Sequence, residues 1–176
     1  MTLSVLALSK ILKEWPEKYV FEMLSEFSCS KDKDVQRFLR KRAIEFEKKQ
    51  VSRTYLLFDS ESASKLVAYF TIAISSLYVD SLQCDVELIE KMNVNRGIAQ
   101  SYLIGQLGKI DGYEKRIGNF AIYHALDPIE GVNKVVGCPV IRLDCKDALV
   151  NYYEGKGFRL LSKGDNDLNK MIMMIS

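Results

Sequence analysis

Apolar positions recur at two different spacings along this chain, and the changes between them predict interleaved strands and helices. Leu3 to Leu8 is a short apolar run, which predicts a strand or a strand entering a helix. Val20 to Phe27 reads as a second strand, although its pattern is ambiguous. From Asp32 to Lys49 the spacing is helical. Val35, Phe38, Leu39, Ala43 and Phe46 share one face, and Ser30 or Asp32 can cap the start. Val51–Phe58 and Leu66–Ile74 are rich in β-branched and aromatic residues. The polar stretch Asp59–Lys65 between them predicts an antiparallel hairpin.

The second half alternates more regularly. Val86–Met92 predicts a short helix, Tyr102–Ile110 a strand, and residues 118–136 a helix that contains Pro128 and Gly131. Pro128 lacks the N–H that would bond to the His124 carbonyl, so a kink is expected there. Val140–Asp144 predicts a strand, and Ala148–Glu154 a short helix closed by Gly155 or Gly157. Phe158–Leu161 and Lys170–Ile175 predict two last strands around the turn Gly164-Asp165-Asn166-Asp167. A strand–helix–strand crossover of this length implies that the strands near 102–110 and 140–144 are parallel. The expected architecture is therefore a single α/β (α+β) domain over residues 1–176. Its mixed central sheet is mostly antiparallel, with one central parallel pair, and is flanked by helices. Met171–Ile175 reads as a core strand in preference to a dimer edge, and a homodimer stays open.

Composition narrows the class. Hydrophobic residues make up 48% of the chain and charged residues 27%, which excludes a disordered or fibrous protein. The apolar run Leu66–Ile74 is interrupted by Thr71 and is about half of the roughly 20 residues a spanning helix needs, so no membrane role is expected. No basic residue precedes the N-terminal apolar run and no small-residue cleavage site follows it, so it does not read as a signal peptide. Cys29, Cys84, Cys138 and Cys145 are widely spaced without a CxxC pair, and His124 is the only histidine. Reduced thiols, a cytoplasmic location and no metal are expected. The net charge of +2 does not demand a nucleic-acid partner. Locally, residues 31–53 carry nine basic side chains against four acidic ones. That bias suits either a solvated helix face or contact with RNA phosphates.

Three segments carry the candidate chemistry. They are the strand Ile104-Gly105-Gln106-Leu107-Gly108-Lys109, the turn Tyr113-Glu114-Lys115-Arg116-Ile117-Gly118-Asn119, and Asn151-Tyr152-Tyr153-Glu154-Gly155-Lys156-Gly157-Phe158. Together they resemble the GNAT N-acetyltransferase superfamily, whose last helix characteristically ends Phe-Tyr-Glu-x-x-Gly-Phe. The Ile104-Gly105-Gln106-Leu107 start is similar to a bacterial subgroup with toxin-type members that acetylate aminoacyl-tRNA. Phe120 departs from the family's loop, standing where a small residue is usual. The resemblance implies acetyl-CoA as co-substrate, held by Leu107, Gly108, Lys109, Lys115, Arg116, Ile117, Gly118, Asn119 and Asn151, with Tyr153 catalytic. It implies as partner an amine acceptor, whether a small molecule, a protein or aminoacyl-tRNA.

The residue types suit that chemistry. A loop entering a helix presents N–H groups and a positive dipole end to pyrophosphate, and Lys115 and Arg116 add charge. A strand such as 104–109 can pair with the pantetheine arm. A phenol with an ordinary pKa of about 10 stays protonated at neutral pH and can donate to a departing thiolate. Asp144 and Glu154 are the nearest candidates for a base, whereas Gln106 cannot accept a proton in that role. A Cys145–His124 nucleophile pair is disfavoured, since no third group orients it. A non-catalytic acyl-CoA-binding or partner-binding protein on the same fold is the rival reading.

Overall fold

The computed structural model describes residues 2–61, 64–80, 84–163 and 168–175. The chain runs β1 (Leu3–Ala7), α1 (Leu8–Glu14), α2 (Glu17–Ser25), α3 (Lys33–Lys41), α4 (Ala43–Lys48), β2 (Arg53–Asp59), β3 (Lys65–Tyr78) and α5 (Val86–Lys91). It continues through β4 (Ile98–Lys109), α6 (Gly118–Asn133), β5 (Val140–Cys145), a 3-10 turn (Asp147–Leu149), α7 (Val150–Glu154), β6 (Arg159–Lys163) and β7 (Asn169–Met174). The expected turn Gly164-Asp165-Asn166-Asp167 lies outside the described residues.

The strands order as β1-β2-β3-β4-β5-β7-β6 in one seven-stranded mixed sheet. The β1–β2, β2–β3, β5–β7 and β6–β7 ladders are antiparallel. β4 and β5 are parallel through Tyr102↔Ile141, Leu103↔Arg142 and Ile104↔Leu143, and their ladder ends there. β7 lies between β5 and β6, with Met171 and Ile172 fully buried, so this apolar strand belongs to the core.

Two of the expected elements differ in kind from those observed, and a third ends early. Val20–Phe27 is not a strand, because α2 occupies Glu17–Ser25. The carbonyl of Pro16 accepts from the amides of Tyr19 and Val20 and so starts the helix. Val20 and Leu24, four apart, are its buried residues, a helical spacing that outweighs the β-branched start. The helix expected over Asp32–Lys49 is two segments, with a bend at Arg42 (φ −122°, ψ −27°). Hydrogen bonds continue across the bend, from the Arg42 amide to the Phe38 carbonyl and from the Phe46 amide to the Arg42 carbonyl. Asp32 is the cap, accepting from the amides of Asp34 and Val35. The helix expected over 118–136 ends at Asn133 and contains Pro128.

The chain divides into two compact units. One comprises Met1–Ala73 with Gln106–Pro128, the other Ile74–Gly105 with Ile129–Ser176. In the first, Leu56, Leu57 and Phe58 are buried in succession, so β2 is covered on both faces. Tyr69 anchors this core. It packs edge-on to Phe27 at 5.3 Å and parallel to Phe38 at 6.5 Å, and donates to the Val35 carbonyl at 2.5 Å. The second unit has its own cluster, which includes Leu77, Leu88, Met92, Val140 and Ile172.

Candidate functional site

Leu107, Gly108, Lys109, Lys115, Arg116, Ile117, Gly118 and Asn119 lie on one strand–loop–helix stretch of the first unit. The stretch leaves β4 at Lys109 and enters α6 at Gly118. The Gln106 amide donates to Thr71 Oγ1 at 2.9 Å, so a side chain takes a hydrogen bond on this strand. Beyond the strand, the Ile110 amide donates to the Val67 carbonyl and the Asp111 amide to the Ser28 carbonyl. The Asp111 carboxylate accepts from the amide and the hydroxyl of Ser30 at 2.9–3.0 Å. Gly112 follows with φ +72°, the left-handed turn that glycine adopts without a Cβ clash.

An acid that the sequence did not single out sits beneath this loop. Asp59, at the end of β2, is fully buried. It accepts from the Tyr113 hydroxyl at 2.7 Å and from the Lys115 ammonium at 3.0 Å. These two bonds, the Tyr113 one first, hold its carboxyl at a pKa of about 2. Lys115 also reaches Glu61 at 3.3 Å, and its bond to Asp59 raises its pKa. Lys115 thus shares its charge with two carboxylates, whereas Arg116 is exposed. Ile117 is buried, and its carbonyl accepts from the Ala121 amide at 2.9 Å, which closes the first turn of α6. Gly118 therefore stands at the helix start, where the dipole end is positive.

Gly108 is a packing residue. A Cβ there would lie 2.3 Å from Val35 Cγ1 and 3.2 Å from Tyr69 Cε1. Lys109 donates to the Tyr113 carbonyl at 2.6 Å and so ties the strand end to the loop. Leu107 is half-buried and Asn119 is exposed.

Asn151 and Tyr153 belong to α7 in the second unit. Asn151 is exposed, and its carbonyl accepts the Gly155 amide at 3.1 Å. The Tyr153 ring is buried against Tyr152 at 5.1 Å and Phe158 at 6.0 Å. Burial, with smaller contributions from Cys145 and Tyr152, pushes its phenol up to a pKa of about 12. The hydroxyl is fully protonated at neutral pH, as a proton donor to a thiolate must be.

The other candidates are otherwise engaged. Arg142 grips Asp144 through two hydrogen bonds at 2.9 and 2.6 Å. The Cys145 thiol is buried, and burial raises its pKa, which opposes thiolate formation. His124 Nδ1 lies 3.0 Å from an Asp127 oxygen, and its ring packs on Phe120 at 4.1 Å. No group of three or more His, Cys, Asp or Glu among the described residues is arranged to hold a metal ion. No helix among them is long and apolar enough to cross a membrane.

No family model and no curated protein matches the sequence. Solved structures do match. The crystal structure of a bacterial toxin has a TM-score of 0.77 at 15% identity, over 99% of this chain and 91% of that one. AtaT complexed with acetyl-methionyl-tRNAfMet has a TM-score of 0.75 at 16% identity, over 98% of this chain and 95% of that one. AtaTR bound with acetyl-CoA has a TM-score of 0.68 at 16% identity, over 98% and 92%. The chain therefore has the GNAT-type fold that its motifs led us to expect.

Proposed function

We propose that this chain is an N-acetyltransferase that moves an acetyl group from acetyl-CoA to a primary amine by direct attack. The observation that carries the reading is the stretch from Ile104 to Gly118. Here β4 outruns its parallel ladder with β5, and its chain then turns through a hydrogen-bonded loop into a helix N-terminus. It occurs in a fold shared with a protein solved with acetyl-CoA bound. The loop suits a pyrophosphate, because Gly118 lets backbone approach the helix start and Arg116 is an exposed cation beside it. Lys115 contributes less free charge than the sequence suggests, because Asp59 and Glu61 share it.

In the reaction the amine nitrogen forms a bond to the thioester carbonyl carbon and the carbon–sulfur bond breaks. The nitrogen loses a proton and the CoA sulfur gains one, so the products are an amide and free CoA. Tyr153 supplies the proton to sulfur. An amine of low pKa, such as that of an aminoacyl ester, needs no strong base, which fits the engagement of Asp144 by Arg142.

Replacement of Tyr153 by Phe is expected to lower kcat by ~10-fold or more while acetyl-CoA affinity changes little. Steady-state release of CoA thiol, alongside calorimetric titration, reads both quantities. Full turnover by the Tyr153→Phe enzyme removes the phenol from the mechanism. In the same titration, Arg116→Ala is expected to weaken acetyl-CoA more than Lys115→Ala does. A wild-type chain that binds no acetyl-CoA at millimolar concentration is a partner-binding protein on this fold.

A further inference from the structure

Within the first unit, Asp59 links the end of β2 to the loop that follows β4, and it does so from a fully buried position. Its Oδ1 accepts from the Glu61 amide at 3.1 Å, which closes its own turn. Its Oδ2 accepts from the Tyr113 hydroxyl at 2.7 Å and from the Lys115 ammonium at 3.0 Å. Both donors belong to the loop between β4 and α6, 54 and 56 positions later in the chain. Hydrogen bonds to an ionised acceptor are short and strong, and burial strengthens them further.

The rest of the loop is tethered in step with this acid. Tyr113 is held at both ends, because its carbonyl accepts from Lys109 Nζ at 2.6 Å. Asp111 is tied to Ser30, and Ile117 is buried. Positions 111, 113 and 115 are therefore bonded and 117 is enclosed, while Glu114 and Arg116 between them are exposed and Gly118 opens α6.

Two roles for the acid predict opposite signs. As a sink for the Lys115 charge, it would hold that ammonium away from a diphosphate, and neutralising it would tighten acetyl-CoA. As an anchor, it would fix the loop around Arg116 and the helix start, and neutralising it would loosen acetyl-CoA. Tyr113 favours the anchor. Its phenol carries no charge to be taken up, yet it makes the shorter of the two bonds. Lys115 also reaches Glu61 at 3.3 Å, so loss of the Asp59 charge would leave it paired.

We propose that Asp59 is a positioning residue for the diphosphate of acetyl-CoA. Through Tyr113 and Lys115 it holds the loop in the shape that turns Arg116 and the N–H groups of the α6 start toward the phosphates. The proposal rests on the acetyltransferase reading.

The test is calorimetric titration of the full chain with two donors, acetyl-CoA and S-acetylpantetheine. The second has the same thioester and arm without the phosphates. Wild type is expected to prefer acetyl-CoA. Asp59→Asn is expected to reduce that preference, read as the ratio of the two Kd values, by about tenfold. Tyr113→Phe removes one bond and is expected to reduce it by about threefold. A residue that only stabilises the fold weakens both donors alike and leaves the ratio where it was, and that outcome overturns the proposal. Tighter binding of acetyl-CoA by Asp59→Asn makes the acid a charge sink and overturns it as well, as do unchanged Kd values in both variants. A wild-type chain that binds neither donor defeats the acetyltransferase reading and the proposal together, whereas wild-type binding with unaltered variants defeats the proposal alone. Tyr113→Phe leaves Asp59 paired with Lys115, so this variant carries the test if Asp59→Asn does not fold.

Discussion

At Gly108 a single hydrogen atom decides whether α3 can lie against β4. A methyl group there would overlap Val35 Cγ1, and the Tyr69 hydroxyl, bound to the Val35 carbonyl, holds the backbone that carries that side chain. Neither neighbour is the free end of a flexible chain, so the strain must move a helix or a core aromatic. Gly108→Ala is therefore expected to destabilise the fold by about 1–3 kcal/mol. Urea unfolding with the slope held constant measures it, and a variant of wild-type midpoint would show that α3 yields freely. The residue was legible in the sequence as part of a motif, but the reason for it was not. Its packing against Val35, 73 positions earlier in the chain, depends on a tertiary contact that no local pattern encodes. Asp59 escaped notice for the same reason, since an acid at a strand end looks like an ordinary solvated turn residue until Tyr113 and Lys115 are seen to close over it.

The loop between β4 and α6 is held as an element by two carboxylates, Asp59 from β2 and its own Asp111 bound to Ser30. Asp59 gives this arrangement a pH signature. Its carboxyl titrates near 2 in the folded chain, below the ordinary value of 3.8, so the unfolded chain binds more protons between those values. The stabilisation from Asp59 is complete above about pH 4 and is lost as the pH falls through 2. Urea midpoints measured from pH 5 down to pH 2 should fall more steeply for the wild type than for Asp59→Asn. Parallel curves would mean that the ion pair does not differ between the folded and unfolded states. Elements were read well where their signals were local. Of the two caps the sequence offers, Ser30 and Asp32, it is Asp32 that accepts from the amides two and three residues on, and the β2–β3 hairpin follows from two β-rich runs. The strand propensity of Val20 and Phe21 points away from α2, while the deciding contacts, Val20 and Leu24 buried on one face, are tertiary. The bend at Arg42 was invisible because its hydrogen bonds continue and the apolar period hardly changes across it.

At the scale of the whole molecule, topology was the most legible feature. The helix predicted between Lys109 and Val140 supplies the long connection that a parallel pair requires, and β4 and β5 are such a pair. The division into two units was not legible, because β3 and β4 each contribute residues to both and no break in composition marks the boundary. What the whole chain must do, if it takes acetyl-CoA, is gain stability on binding. A ligand that binds only the folded state adds about 2.7 kcal/mol at one hundred times its Kd. For a chain of 176 residues that corresponds to a rise in Tm of roughly 5–10 °C. Acetyl-CoA and CoA should both produce it, because the nucleotide and pantetheine are common to them, whereas acetate alone should not. Tyr153→Phe should retain the rise, because the role proposed for the phenol, donation to the leaving sulfur, belongs to turnover and not to binding, and Arg116→Ala should reduce it. A Tm that is the same with and without millimolar acetyl-CoA would show that the helix start at Gly118 holds no pyrophosphate, and would overturn the acetyl-CoA reading.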